Sequence, residues 1–197
     1  SYLPHQIVAW LTDTPTRFIQ MSTDCVFAGN TGPYDECSVP DGCSYYDRTK
    51  ALGEIMDDKN LTFRNSIIGP DINEHGIGLF HWFMKQHTPI NGFTKAIWTG
   101  VTTLTLAKAM ERALQTNLTG LYNLVNNESI NKYNLLCLFN KYFRNNEIQI
   151  AKSEKLVLDK TLLNKRTDFD FEVPSYEQMI IEMKEWVDNH KDIYPLY

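Results

Sequence analysis

At 197 residues, with 43% apolar and 12% aromatic residues and a formal charge of −5, the chain can build one large domain around a packed core. An acidic balance without a basic cluster argues against nucleic acid as the main partner, because phosphate binding needs concentrated Lys and Arg. No run approaches the ~20 apolar residues needed to cross a bilayer. The opening stretch SYLPHQIVAWLTDTP carries neither a basic n-region nor a small-residue cleavage site, so no membrane partner and a cytoplasmic location are expected.

In chain order, Leu3, Ile7, Val8 and Leu11 recur at helical spacing and predict a helix over 1–12. The apolar run RFIQMS (17–22) predicts a buried strand that ends on Ser22, Thr23 and Asp24. Residues 44 to about 57 predict a helix with Ser44 as N-cap and Asp47 as the acid three positions on. A strand follows at 61–68, closed by Gly69-Pro70, and then a helix in GIGLFHWFMKQH. A helix at 102–115 has a broad apolar face. A strand at 120–125, a helix in NKYNLLCLFNKYFRN, a short strand in EIQIA and a last amphipathic helix at 176–190 complete the pattern. Strands alternating with helices point to an α/β fold with a mostly parallel sheet. Trp98 reads as a core residue ahead of a helix.

Four cysteines, Cys25, Cys37, Cys43 and Cys137, show no CxxC and no His at ligand spacing, so no metal and reduced thiols are expected. Tyr46 and Lys50, four residues apart, share one helix face. That spacing is common by chance. It gains weight from Thr23-Asp24 at a strand end upstream and from the strand-Gly-Pro pattern downstream.

Three stretches together, STDCVFAGNTGPYDE, YYDRTKALGE and LTFRNSIIGP, resemble the catalytic half of the extended short-chain dehydrogenase/reductases. Within that superfamily the chain is similar to the dTDP-4-dehydrorhamnose reductase group, which carries S-T-D-Y-V-F-x-G, Y-x-x-x-K-x-x-G-E and R-T-S-W in this order. The similarity continues through WTGVTTLTLAKAM and GLYNLV to VPSYEQMIIEM. The resemblance implies a Rossmann-like parallel sheet, truncated at its amino terminus, with a smaller C-terminal α/β substrate-binding part. Residues 1–70 would hold the catalytic end of the NAD(P)-binding domain. Residues 71–197 would form the substrate-binding region, partly interleaved with that sheet.

The activity implied is NAD(P)H-dependent reduction of the 4-keto group of a nucleotide-linked 6-deoxy sugar, for polysaccharide precursors. Thr23, Tyr46 and Lys50 would be catalytic. Ser22, Tyr46 and Lys50 would meet NADPH or NADH, and Thr23, Asp24 and Ile67 the nucleotide-sugar substrate. A tyrosine with an ordinary pKa near ~10 needs a nearby cation to act as an acid–base group at neutral pH, and Lys50 is placed to supply it. Thr23 would hydrogen-bond the carbonyl oxygen as charge develops there.

The sequence departs from that pattern at Cys25, where the group has Tyr, and at Ile67, where it has Trp. The second change puts the identity of the sugar in question; Trp98 is a candidate replacement for that aromatic, with a core Trp ahead of a helix the preferred reading. No G-x-G-x-x-G occurs, although a dinucleotide-binding fold needs such a turn after its first strand. The chain is therefore expected to be a fragment that is inactive alone and holds NAD(P)H weakly. The exposed sheet edge would need the absent segment or a second copy, in a homodimer, to cover it. A nucleotide-sugar epimerase or 4,6-dehydratase is the alternative enzyme; Cys25 cannot play the Glu that dehydratases typically show after Thr-Asp. A non-catalytic reductase-like subunit, such as the regulatory partner of methionine adenosyltransferase, is the alternative outside enzymes.

Overall fold

The computed structural model describes all 197 residues. Helix α1 (Tyr2–Trp10) precedes β1 (Ile19–Met21), which is shorter than the apolar run suggests. The ladder reaches one residue further, where Ser22 N–H donates to Phe63 O at 2.7 Å, and the backbone then turns into a single 3-10 turn at Asp24–Val26. Helix α2 (Tyr45–Ala51) starts at the expected cap, because the Ser44 hydroxyl accepts from Asp47 N–H and the Asp47 carboxylate accepts from Ser44 N–H. It stops well before residue 57. The following Gly53-Glu54 turn carries Glu54 inward instead.

The expected strand at 61–68 is two strands, β2 (Leu61–Arg64) and β3 (Ile67–Ile68), in different sheets. Asn65 and Ser66 form the break. Ser66 O accepts from Val101 N–H at 3.0 Å, and Gly100 passes so close that a Cβ there would lie 2.4 Å from Ser66 O. Helix α3 (Leu79–Met84), β4 (Ile90–Phe93), β5 (Ala96–Trp98) and β6 (Val101–Thr102) follow. Then come α4 (Thr103–Leu114), β7 (Gly120–Asn123), β8 (Ile130–Asn131) and α5 (Lys132–Phe143). The chain closes with β9 (Ile150–Ser153), β10 (Leu158–Asp159) and α6 (Tyr176–Asn189).

The fold is mixed α/β with mostly parallel pairing. Strands β1, β2 and β7 form a parallel sheet in that order, with Ile19 beside Leu61 and Leu61 beside Gly120. Strand β7 thus returns from late in the chain to the sheet that presents Ser22 and Thr23. Arg17 ties the sheet's far end together by donating to Lys59 O at 3.2 Å and Thr116 O at 2.7 Å. The pairs β3–β6 and β4–β9 are also parallel, and β10-β5-β8 forms a third small sheet, antiparallel only between β5 and β8.

The main core joins Leu61, Phe63, Phe80, Phe83, Leu135 and Phe139 with Met179, Ile180 and Met183 of α6. A separate cluster of Val26, Phe27, Tyr34, Val125 and Leu162 lies under the 3-10 turn, with the Phe27 and Tyr34 rings stacked 4.0 Å apart. Burying such side chains stabilises each site by about 1.5–3 kcal/mol. No helix is long and apolar enough to cross a membrane.

Candidate active site

Where β1 ends, buried polar groups replace apolar ones. Ser22, Thr23 and Asp24 are all buried. The Ser22 hydroxyl donates to Glu54 Oε1 at 2.6 Å, and Arg64, the last residue of β2, donates to both Glu54 oxygens at 2.8 and 2.6 Å. The Arg64–Glu54 pair is fully buried, and the guanidinium carbon lies 4.9 Å from the Phe27 ring centroid. Breaking such a pair from one side leaves an uncompensated charge, whereas a complete pair fixes its neighbours. Here the neighbour is the strand end that presents Ser22.

Thr23 caps the 3-10 turn, accepting from Cys25 N–H at 3.2 Å, and its hydroxyl donates to Asp24 Oδ1 at 3.2 Å. Opposite stands α2. Lys50 Nζ donates to Met21 O at 2.6 Å, tying that helix to the strand end, and Tyr46 is half-exposed. The approach to α2 runs against the turn, with Gly42 N–H donating to Val26 O at 2.9 Å. A Cβ on Gly42 would lie 2.8 Å from Cys25 O.

Ser22, Thr23, Asp24, Tyr46, Lys50 and Ile67 line one cavity of about 350 Å³, together with Met21, Cys25, Asn65, Ser66 and Leu106. Every site residue expected from the sequence is therefore in one place. Ser22 is engaged with Glu54 rather than open, and Ile67 is 55% exposed on the rim. Burial, and then the Asp24 charge, pushes the Cys25 thiol pKa up, so Cys25 stays a neutral thiol.

A second cavity of about 310 Å³ shares Asp24, Cys25, Ser66 and Ile67 with the first and continues it. Its further wall is Leu79, Ile97, Trp98, Lys132, Leu158 and Lys160. Trp98 is both core, at 4% exposure, and cavity wall. It therefore puts an aromatic in the lining of the cavity that Ile67 also lines. Lys132 and Lys160 escape motif reading, but one signal was available. Lys132 is the first residue of α5, where a positive charge opposes the helix dipole; such local conflicts gather at functional sites.

Tyr46 and Lys50, beside a partly open cavity with polar lining, are the residues that could hold the nicotinamide end of a dinucleotide. No glycine-rich turn in these residues would cradle its pyrophosphate.

No curated protein matches the sequence. In fold, the chain is similar to the crystal structure of a hypothetical dTDP-4-dehydrorhamnose reductase from Sulfolobus tokodaii, with a TM-score of 0.71 at 22% identity over 90% of this chain and 68% of that one. It is also similar to dTDP-4-dehydrorhamnose reductase from Bacillus anthracis in complex with NADP (TM-score 0.71, 19% identity, 85% of this chain and 65% of that one). A third similar structure is UDP-N-acetylglucosamine 4-epimerase from Methanobrevibacter ruminantium, in complex with UDP-N-acetylmuramic acid (TM-score 0.73, 14% identity, 94% and 67%). The chain thus spans about two thirds of the length of these structures. At such identities the likeness shows the fold: a Rossmann-like α/β architecture. Residues 3–157 match the family described as the RmlD substrate binding domain. The chain belongs to that family, among the extended short-chain dehydrogenase/reductases.

Proposed function

We propose that the protein, in its full-length form, uses NADPH or NADH to reduce the 4-keto group of a nucleotide-linked 6-deoxy sugar. The observation that carries this reading is the meeting of Tyr46 and Lys50 of α2 with Thr23 and Asp24 of the strand end across one cavity. Residues 1–70 then supply the acid–base groups and residues 71–197 most of the substrate wall.

Tyr46 and Lys50 would hold the reduced cofactor, whose chemistry there would be to supply a hydride to the carbonyl carbon. The Tyr46 hydroxyl donates its proton to the carbonyl oxygen, leaving a tyrosinate that the Lys50 ammonium stabilises until solvent returns the proton. The Thr23 hydroxyl turns its own proton from Asp24 to the same oxygen as charge builds on it. Asp24, relieved of Thr23, accepts from a sugar hydroxyl. Ser22 acts by fixing the strand end through Glu54. In this reading Trp98 presents the aromatic wall to the sugar ring. Ile67 then changes which face of the ring is gripped, and the dTDP-linked rhamnose precursor becomes a secondary substrate.

The test is cofactor oxidation by the full-length protein with dTDP- and UDP-linked 4-keto-6-deoxy sugars. Oxidation that depends on the sugar, with a 4-hydroxy product, is expected. No oxidation with any of them contradicts the proposal.

A further inference from the structure

Four buried side-chain atoms have no hydrogen-bond partner within the protein: Gln20 Oε1, Arg64 Nη1, Asn65 Oδ1 and Asn123 Oδ1. Of these four residues Asn65 alone lines the first cavity, with Tyr46 and Lys50. It is 4% exposed and sits in the break between β2 and β3. A buried acceptor with no donor is costly to the fold. One that borders a cavity is satisfied when a donor enters it.

The backbone sets the orientation of this amide. Asn65 Nδ2 donates to Ser66 O at 3.3 Å. Turning the amide over would set Oδ1 against that carbonyl, with two acceptors facing each other. Ser66 O is itself fixed, because it also accepts from Val101 N–H at 3.0 Å. The free atom of Asn65 is therefore the oxygen, and it calls for a donor. Asn65 is also a departure from the reductase pattern. Arg64-Asn65-Ser66-Ile67 stands where the group has R-T-S-W, so a longer side chain with a carbonyl oxygen replaces a hydroxyl.

The other polar groups around the cavity are engaged. Ser22 donates to Glu54, Thr23 to Asp24, and Lys50 to Met21 O. Asp24 also lines the second cavity and is assigned to a sugar hydroxyl; Asn65 does not line that cavity. Hydride transfer needs the donating ring carbon in contact with the carbonyl carbon, while Tyr46 reaches the carbonyl oxygen. The carboxamide of a nicotinamide hangs on the ring carbon next to the donating one, so it falls close to the reacting centre. Its N–H groups need an acceptor there, and Asn65 Oδ1 is the fully buried one left free.

We propose that Asn65 is a cofactor-positioning residue whose Oδ1 accepts a hydrogen bond from the nicotinamide carboxamide and so fixes the rotation of the ring against Tyr46. This deepens, and rests on, the cofactor named in the proposed function. The same contact selects the intact amide. A methyl ketone in its place offers no donor, and a carboxylate sets a further acceptor against Oδ1.

The test is binding to the full-length protein, by calorimetry and without sugar. The first probes are the preferred reduced cofactor, NADH or NADPH, and its acetylpyridine analogue, which carries a methyl ketone instead of the amide. The others are the nicotinic acid analogue, which carries a carboxylate, and the matching ADP-ribose, which lacks the ring. Wild type is expected to bind the cofactor about tenfold more tightly than the acetylpyridine analogue, the scale of one hydrogen bond. The carboxylate analogue should bind more weakly still. In Asn65→Ala and in Asn65→Leu, which keeps the shape of the side chain, the preference for the amide should shrink to within about twofold. ADP-ribose should bind both variants as it binds wild type, which separates a lost contact from a lost fold. A wild type that binds the cofactor and its acetylpyridine analogue equally well overturns the proposal. So do variants that keep the wild-type preference, variants that lose ADP-ribose in step with the cofactor, and a wild type that binds no probe at millimolar concentration. Cofactor binding without any preference for the amide leaves the proposed reduction standing. A preference that depends on Asn65, without cofactor oxidation on any 4-keto sugar, contradicts the reduction and leaves Asn65 in its role.

Discussion

The two walls of the cleft are built in opposite ways. The near wall comes from two local pieces, the end of β1 and the first turns of α2. Its fixed point is the buried Ser22–Glu54–Arg64 network. The far wall is drawn together from distant parts of the chain: the short strands β5 and β10 with the residue after β10, and the first residues of helices α3 and α5. The near wall has Ser22, Thr23, Asp24 and Lys50 each held by a hydrogen bond within the protein. The far wall holds two lysines without a salt-bridge partner, Lys132 over the Trp98 ring and Lys160 elsewhere on the lining. In the proposed function, chemistry belongs to the first wall and selection to the second.

The largest effect that would sharpen this contrast is on rate. Tyr46→Phe should lower kcat about 10²–10⁴-fold with substrate affinity nearly unchanged, as expected for a lost proton donor. Steady-state kinetics checks it, and a loss under tenfold would remove the near wall from the chemistry. Lys50→Met should also lower kcat. It should weaken cofactor binding too, since the same ammonium is assigned to both, and the split between kcat and cofactor KM reads this out.

Next comes stability. Arg64→Met strands the Glu54 carboxylate in a site that excludes water and should cost about 3–5 kcal/mol, measured by denaturant unfolding. A comparable loss from Lys132→Met would erase the difference between the walls.

Smaller effects belong to the far wall and to the helix cap. Ile67→Trp, which restores the aromatic of the reductase pattern at an exposed rim, should change kcat/KM for the dTDP-linked rhamnose precursor by no more than about tenfold, the scale of a small pocket misfit. A larger gain would show that Trp98 does not stand in for it. Ser44→Ala should cost about 1 kcal/mol at neutral pH. Ser44, through its hydroxyl and its backbone N–H, holds the Asp47 carboxyl below its usual range. A depressed carboxylate contributes stability above its unfolded pKa and loses it as pH falls through the folded one. The gap between wild type and Ser44→Ala should therefore narrow below about pH 4.

What the amino-acid sequence reveals follows the same division. The Ser44–Asp47 box and the Tyr46–Lys50 face are contacts three and four residues apart, so spacing alone exposes them. The parallel core is legible from its apolar runs, Phe63 and its neighbours above all. Glu54 and Arg64 stand in the resembling motifs, but their union appears only once α2 ends early and the chain turns inward. Strands β5, β8 and β10 are too short to carry a period of two. Lys132 lies over the Trp98 ring and Lys160 lines the same cavity from a segment far away in sequence, and no pattern in any one segment shows it. Trp98 itself reads as core, which it is. That it is also cavity wall depends on Gly100 letting Ser66 pass beside it.

The central claim is that hydride is delivered to a sugar ketone at the Tyr46–Lys50 wall. Its most direct test is isotope transfer. The full-length protein is incubated with NADPH or NADH deuterated at the transferring carbon and with a nucleotide-linked 4-keto-6-deoxy sugar, and the product is read by mass spectrometry and NMR. The account predicts one deuterium on the carbon that bore the ketone, with no transfer in Tyr46→Phe above background. Deuterium elsewhere on the sugar, or a changed sugar with no deuterium and no net cofactor oxidation, would contradict it and point to the dehydratase or epimerase alternative.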